Sequence, residues 1–331
     1  MNDSKTAGQM DVMTLSQAAA GGDRRALAKA ITMIESVRPQ DEAAAQAYVA
    51  AALTSGRSAI RIGLSGPPGV GKSTFIEAFG LHLAERSKKV AVLAVDPSSQ
   101  RSGGSILGDK TRMTHLARHP NAFIRPSPAG ETLGGVARRT REAIIAVEAA
   151  GFDVVIVETV GVGQSETTVA GMVDMFVLLM QPGGGDDLQG IKRGIMELAD
   201  LVVITKADGD LAPAAMRAQA DFTNAVHWLR PKWKGWETRV QTVSSVEGKG
   251  IAEIWATVSD FAGVLKTSGD WTRNRDQQRL DWFWSDVRER MMDRLRADPA
   301  VVAMAPDLEA QIRAGTLSPS AAAKRVIEAM G

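Results

Sequence analysis

The stretch GPPGVGKST (66–74) follows the apolar run IRIGLS (60–65) and opens onto a helix-like segment. Strand, glycine loop, Lys-Ser and helix, in that order, match G-x-x-x-x-G-K-[ST] in the context that gives the motif meaning. The backbone N–H groups of such a loop converge on phosphate oxygens, and the helix dipole adds positive potential there. Gly66, Pro67, Pro68, Gly69, Val70, Gly71, Lys72, Ser73 and Thr74 are the expected phosphate-binding residues. Lys72 neutralises the outer phosphates, and the Ser73 hydroxyl ligates magnesium.

Outward from this loop, short β-branched runs alternate with amphipathic segments. The predicted strands are 60–65, 89–96, 122–126, 153–158, 173–180, 200–205 and 239–244. Most are apolar throughout, as in a mainly parallel sheet covered on both faces. The fold class is α/β: a P-loop NTPase with a doubly wound sheet. Residues 11–57 are alanine-rich, with Leu27, Ile31 and Ile34 at helical spacing and Asp23 as a cap. After Thr267 the chain becomes a long amphipathic helix carrying Leu280, Phe283, Val287, Met291 and Leu295. A last helix starts at Ser318-Pro319. The expected organisation is a helical extension (1–57), a nucleotide-binding domain (58–266) and a helical arm (267–331).

The base reader is expected where DLVVIT runs into Thr205-Lys206-Ala207-Asp208. This resembles the Asn-Lys-x-Asp element of GTPases, with Thr in place of Asn. Asp208 accepts from both N1–H and the exocyclic amine of guanine, a donor pair that adenine lacks, while the Lys206 stem lies along the base. Ser244 and Ser245, in the small-residue stretch TVSSVEGKGI, are candidates for the loop over the base. Asp96 and Glu158 end strands beside the phosphate loop, where open α/β sheets bind ligands and where a carboxylate holds magnesium directly or through water. With Lys72 they form the candidate catalytic set, and Asp109 is a further magnesium candidate. Glu158-Thr159-Val160-Gly161 looks like the D-x-x-G switch of GTPases with Glu for Asp. Val162 stands where many small GTPases place a water-orienting glutamine, so slow intrinsic hydrolysis is expected.

A second glycine-rich stretch, QPGGGDDLQGIK (181–192), follows the fifth strand. Three successive glycines are costly unless the backbone must move or approach something closely. On the residues alone, this is either a switch or a βα turn with Asp186 as helix cap.

The chain's 331 residues are 44% hydrophobic, with 39 basic against 38 acidic residues, which argues against nucleic-acid or membrane-surface binding. No run is long enough to cross a membrane, and MNDSKTAGQMD lacks a secretory apolar core, so the expected compartment is the cytoplasm. Without cysteine and with four histidines, a metal would be held by oxygen ligands.

GPPGVGKST, VDPSSQRSGGSILGDKTRM, ETVGVGQSE and ITKAD, in this order and spacing, resemble the MeaB/ArgK/MMAA family over roughly residues 15–330. These are GTPases that chaperone adenosylcobalamin-dependent methylmalonyl-CoA mutase. The resemblance implies GTP or GDP as ligand, magnesium, a homodimer formed through the C-terminal arm, and the mutase as partner. It implies a role in gating cofactor loading and protecting or reactivating the mutase, with no cobalamin held by this chain itself. It also tips the second glycine loop toward a switch, with Gly161, Asp186, Asp187, Gln189 and Lys192 facing switch loops or partner. The segment 127–131, SPAGE, departs from the expected serine- and glycine-rich run. A P-loop kinase is the main alternative. A nickel metallochaperone would need the cysteines this chain lacks, and the intact Lys72-Ser73 pair argues against an inert assembly module.

Overall fold

The computed structural model describes residues 3–95, 113–126, 133–159, 165–183 and 193–329. They divide into two compact units, Met1–Gln278 and Arg279–Gly331.

The first unit is built on a seven-stranded sheet in the order β3-β2-β4-β1-β5-β6-β7, with every neighbouring pair parallel. The strands are β1 (Ile60–Ser65), β2 (Val90–Val95), β3 (Ala122–Arg125), β4 (Val154–Thr159), β5 (Met175–Met180), β6 (Leu201–Ile204) and β7 (Arg239–Thr242). Six fall within the apolar runs read from the sequence, and β4 runs one residue past its predicted end, to Thr159. β1, β2, β4, β5 and β6 are almost wholly buried, because crossover helices cover both faces of a parallel sheet. On one face Ile62, Leu64, Val92, Ile156, Val177, Leu179 and Val203 pack against Phe75, Phe79 and Phe261.

Helices fill the connections: α4 (Lys72–Ala84), α5 (Thr114–Arg118), α6 (Leu133–Ala149), α7 (Ser165–Ala170), α8 (Arg193–Met196), α9 (Ala212–His227) and α10 (Ile251–Ser268). The N-terminal residues form α1 (Asp3–Ala20), α2 (Arg24–Ile34) and α3 (Pro39–Leu53). Asp23 caps α2 by accepting from the N–H groups of Arg25 and Ala26. α2 and α3 pack on α6, and Glu35 pairs with Arg125 of β3. This places the N-terminal helices within the first compact unit.

At the end of the sheet opposite the phosphate loop lies a buried ionic cluster. α11 (Asp270–Ala297) begins there, and its Arg275 donates to Asp174 at 2.8 and 2.6 Å, to Ser58 Oγ at 2.5 Å and to the Ala59 carbonyl at 2.6 Å. Arg61 of β1 makes a bidentate pair with Glu148 at 2.9 and 2.7 Å. Gln278 donates to the Val173 carbonyl at 2.7 Å. All four ionic side chains are buried, so each charge depends on its partner. The cluster ties the start of α11 to the strand that feeds the phosphate loop. Beside β7, Trp233 and Trp236 donate their indole N–H groups to the Asp200 side chain and backbone at 2.7 and 3.0 Å, fixing the approach to the last strand. Burial pushes the Asp200 carboxyl above its ordinary pKa.

In the second unit, the remainder of α11 is followed by α12 (Pro299–Arg313) and α13 (Pro319–Glu328), which pack on each other. Ser318 caps α13 through the Ala321 N–H, as its Ser-Pro signature predicts. Leu280, Phe283, Trp284, Met291 and Met292 of α11 are exposed. Among the described residues no helix is long and apolar enough to cross a membrane.

Candidate functional site

The site is built on the C-terminal ends of β1, β4, β5 and β6 and the loops that leave them. β1 lies between β4 and β5, with Leu64 opposite Glu158 on one side and Ser65 opposite Leu178 on the other. The chain then turns sharply. A Cβ on Gly66 would come within 2.5 Å of the Leu179 carbonyl oxygen, so only glycine lets the loop start against β5. Gly71, the cap of α4, is left-handed at φ 98° and offers no side chain to the helix. No acid sits in the first turn of α4 either. A helix N-terminus with neither a capping side chain nor an acid of its own is the kind of end that favours an anion.

Lys72 folds back over this loop, its Nζ donating to the Gly66 carbonyl at 2.6 Å and the Pro67 carbonyl at 3.3 Å. Carbonyl oxygens occupy, around this ammonium, the role that phosphate oxygens take in a loaded loop. Ser73, one residue on, is half-buried, and its hydroxyl makes no hydrogen bond among the described residues.

Glu158 and Thr159 end β4 next to the loop. Glu158 is 3% exposed, between Leu64 of β1 and Ala94 of β2. The Thr159 hydroxyl donates to Ser65 Oγ at 2.9 Å, a fully buried bond between adjacent strand ends that the sequence reading did not include. Ser73 and Glu158 offer hydroxyl and carboxylate oxygens, a donor set that suits a hard cation such as magnesium. Among the described residues no cluster of three acids or histidines forms a ready-made metal cage. Asp96, Asp109, Gly161, Asp186, Asp187, Gln189 and Lys192 lie outside the described residues.

The strip Thr205–Asp208 leaves β6 and is tied to three neighbours. The buried Thr205 hydroxyl donates to the Val70 carbonyl of the phosphate loop at 2.6 Å, with the Met180 carbonyl at 3.1 Å. Thr205 thus reaches the phosphate loop although it is not the Asn of the usual element. Lys206 adopts a left-handed backbone at φ 56°, which costs a non-glycine residue about 1–2 kcal/mol. Its Nζ donates to the Gly69 carbonyl at 2.8 Å and to Gln181 Oε1 at 3.2 Å. Asp208 accepts from Ser244 Oγ at 2.5 Å, and Ser244 in turn accepts the Glu247 N–H at 3.1 Å. Ser244 is itself held by its backbone N–H to the Lys249 carbonyl. Ser245 is half-buried beside it. Hydrogen bonds therefore link the phosphate loop to the Thr205–Asp208 strip, and that strip in turn to the Ser244 turn. Gln181 was not among the residues singled out from sequence; it is a neutral residue before Pro182, and only the tertiary contact reveals it.

Comparison with known proteins agrees with this geometry. The family model described as Methylmalonyl Co-A mutase-associated GTPase MeaB matches residues 27–300. Probable GTPase Rv1496 of Mycobacterium tuberculosis is 52% identical over 314 residues, covering 95% of this chain and 94% of that protein. The mitochondrial methylmalonic aciduria type A homolog of Mus musculus is 48% identical over 318 residues, covering 93% of this chain and 77% of that one. Among solved structures, the LAO/AO transport system kinase superposes with a TM-score of 0.77 at 38% identity, covering 99% of this chain and 98% of that one. A P-loop fold, a Thr205–Asp208 strip bonded to that loop, and matches of this extent lead to one assignment: the chain belongs to the MeaB family of methylmalonyl-CoA mutase-associated GTPases.

Proposed function

We propose that this GTPase is a magnesium-dependent chaperone of adenosylcobalamin-dependent methylmalonyl-CoA mutase, gating cofactor loading and protecting or reactivating the mutase. The observation that carries the guanine-nucleotide part is the position of Asp208, held by Ser244 on a strip that Thr205 and Lys206 bond to the phosphate loop. The mutase part rests on the family and on relatives named for methylmalonic aciduria.

In this reading the amides of 66–74 and the first turn of α4 surround the phosphates. Lys72 exchanges its carbonyl partners for β- and γ-phosphate oxygens, a charge-assisted contact in a site already shaped for it. Ser73 and Glu158, with Asp96 and Asp109, would hold magnesium, which supplies neutralisation of phosphate charge. Asp208 reads the guanine edge, Lys206 covers the ring, and Ser244 and Ser245 close the loop. No glutamine follows Gly161, so basal hydrolysis is slow and the partner accelerates it. The arm from residue 267 serves a homodimer, its exposed Phe283 and Trp284 being the kind of aromatic anchor that interfaces use. Gly161, Asp186, Asp187, Gln189 and Lys192 are the proposed route from nucleotide to partner.

The test follows γ-labelled GTP with and without mutase. Free phosphate released slowly by the GTPase alone, and faster with mutase, is the expected result; label on a third molecule would make it a kinase. Asp186→Ala and Lys192→Ala are expected to lose the mutase acceleration, a coupling of about 1–3 kcal/mol. Undiminished acceleration in both would return 181–192 to an ordinary turn.

A further inference from the structure

The ammonium of Lys206 bridges two loops that leave different strands. One partner is the Gly69 carbonyl in the phosphate loop; the other is Gln181 Oε1, on the residue that follows β5 and opens the glycine-rich stretch. The same strip is stitched to the end of β5 a second time, by Thr205 N–H on the Met180 carbonyl at 2.7 Å. Gln181 is set in place by its neighbours, the last residue of β5 before it and the buried Pro182 after it. The Lys206 backbone is left-handed, so the side chain holds its course across the base position only while its far end is tethered.

We propose that Gln181 is a positioning residue for base recognition. By holding the Lys206 ammonium, it keeps the lysine stem flat against the ring and makes the root of the glycine-rich loop sensitive to an occupied base site. This rests on the reading of Thr205–Asp208 as the base strip. Coupling of this kind is reciprocal: whatever holds Gln181 in place tightens base binding, and a bound base holds Gln181. The contact acts on the ring and not on the phosphates, so it affects ligands that carry a base and spares those that do not.

The experiment measures binding of GDP, inosine diphosphate and inorganic tripolyphosphate to the full chain and to Gln181→Ala, Gln181→Glu and Lys206→Ala. Gln181→Ala is expected to raise the Kd of both nucleosides' diphosphates by roughly three- to ten-fold, the size of one hydrogen bond, and to leave tripolyphosphate unchanged. Gln181→Glu restores or tightens GDP binding, because a carboxylate holds the same ammonium. Equal weakening of GDP and tripolyphosphate would mean a general structural role and would overturn the proposal. Unchanged GDP affinity in Gln181→Ala, with clear weakening in Lys206→Ala, would also overturn it while sparing the base strip. Unchanged GDP affinity in Lys206→Ala would remove the base strip itself.

Discussion

The hydroxyl of Thr205 donates to the carbonyl of Val70 across 2.6 Å, joining the end of β6 to the middle of the phosphate loop. Both residues are buried, so the carbonyl has no water to turn to if the hydroxyl is lost. Thr205→Val, nearly the same shape, is therefore expected to destabilise the protein by about 1–3 kcal/mol and to weaken GTP binding by loosening the loop. Thr205→Asn, with an amide donor in reach of the same carbonyl, is expected to keep affinity near wild type. Thermal melts with and without GTP check both, and a Thr205→Val protein as stable as wild type would remove the bond from the account.

Lys72→Ala removes the cation from the loop without opening the core, since the side chain is half-buried and its ammonium donates to the carbonyls of Gly66 and Pro67. The fold should remain, and triphosphate binding should weaken by at least about 1.5–3 kcal/mol. Isothermal titration with GTP gives the answer; near-normal affinity in the folded variant would displace the site from 66–74.

Asp208→Asn should exchange base preference. The new amide donates to the C2 carbonyl of xanthine but meets the exocyclic amine of guanine donor to donor. Ser244→Ala, which removes the hydroxyl that orients Asp208, should weaken guanine binding less and without changing preference. Competition between guanosine and xanthosine diphosphates separates the two, and an Asp208→Asn protein that still prefers guanosine would take the base reading away from Asp208.

The Arg275 cluster predicts how the arm can be cut. A chain ending at Gln278 keeps Arg275 and Gln278 on the core, and should fold and bind GTP. A chain ending at residue 267 strips both and leaves Asp174 buried without its guanidinium. Breaking a buried pair from one side costs about 3–5 kcal/mol, so the shorter chain should melt well below the longer one. Light scattering of the 1–278 and full-length chains reports at the same time whether the arm carries the proposed dimer.

The strands and the phosphate loop were legible because local pattern carries them: an unbroken apolar run in a parallel sheet, and a glycine loop whose spacing the phosphate dictates. Caps were legible for the same reason, as Asp23 and Ser318 show. α12 was missed although Asp298-Pro299 has the same cap signature as Ser318-Pro319; Pro306 inside the helix hides its continuation. What sequence could not display is pairing across distance. Nothing near Arg275 announces Asp174, 101 residues away, and nothing near Gln181 announces Lys206. Strand order is of the same kind, for β1 neighbours β4 and β5 and not β2.

That strand order has a consequence for how the protein is made. Ser65, at the mouth of the phosphate loop, is hydrogen-bonded to Thr159, 94 residues later, and Arg61 to Asp174, 113 residues later. A ribosome adding roughly 5–20 residues per second leaves β1 without either neighbour for several seconds, its edges open to other chains. The Ser244 turn emerges later still, so a nascent chain halted before it carries the phosphate loop and Asp208 without the hydroxyl that holds Asp208. On the proposed reading, the nucleotide site is complete only late in synthesis. During translation, yield should therefore respond to elongation rate and to holding chaperones before it responds to the supply of GTP.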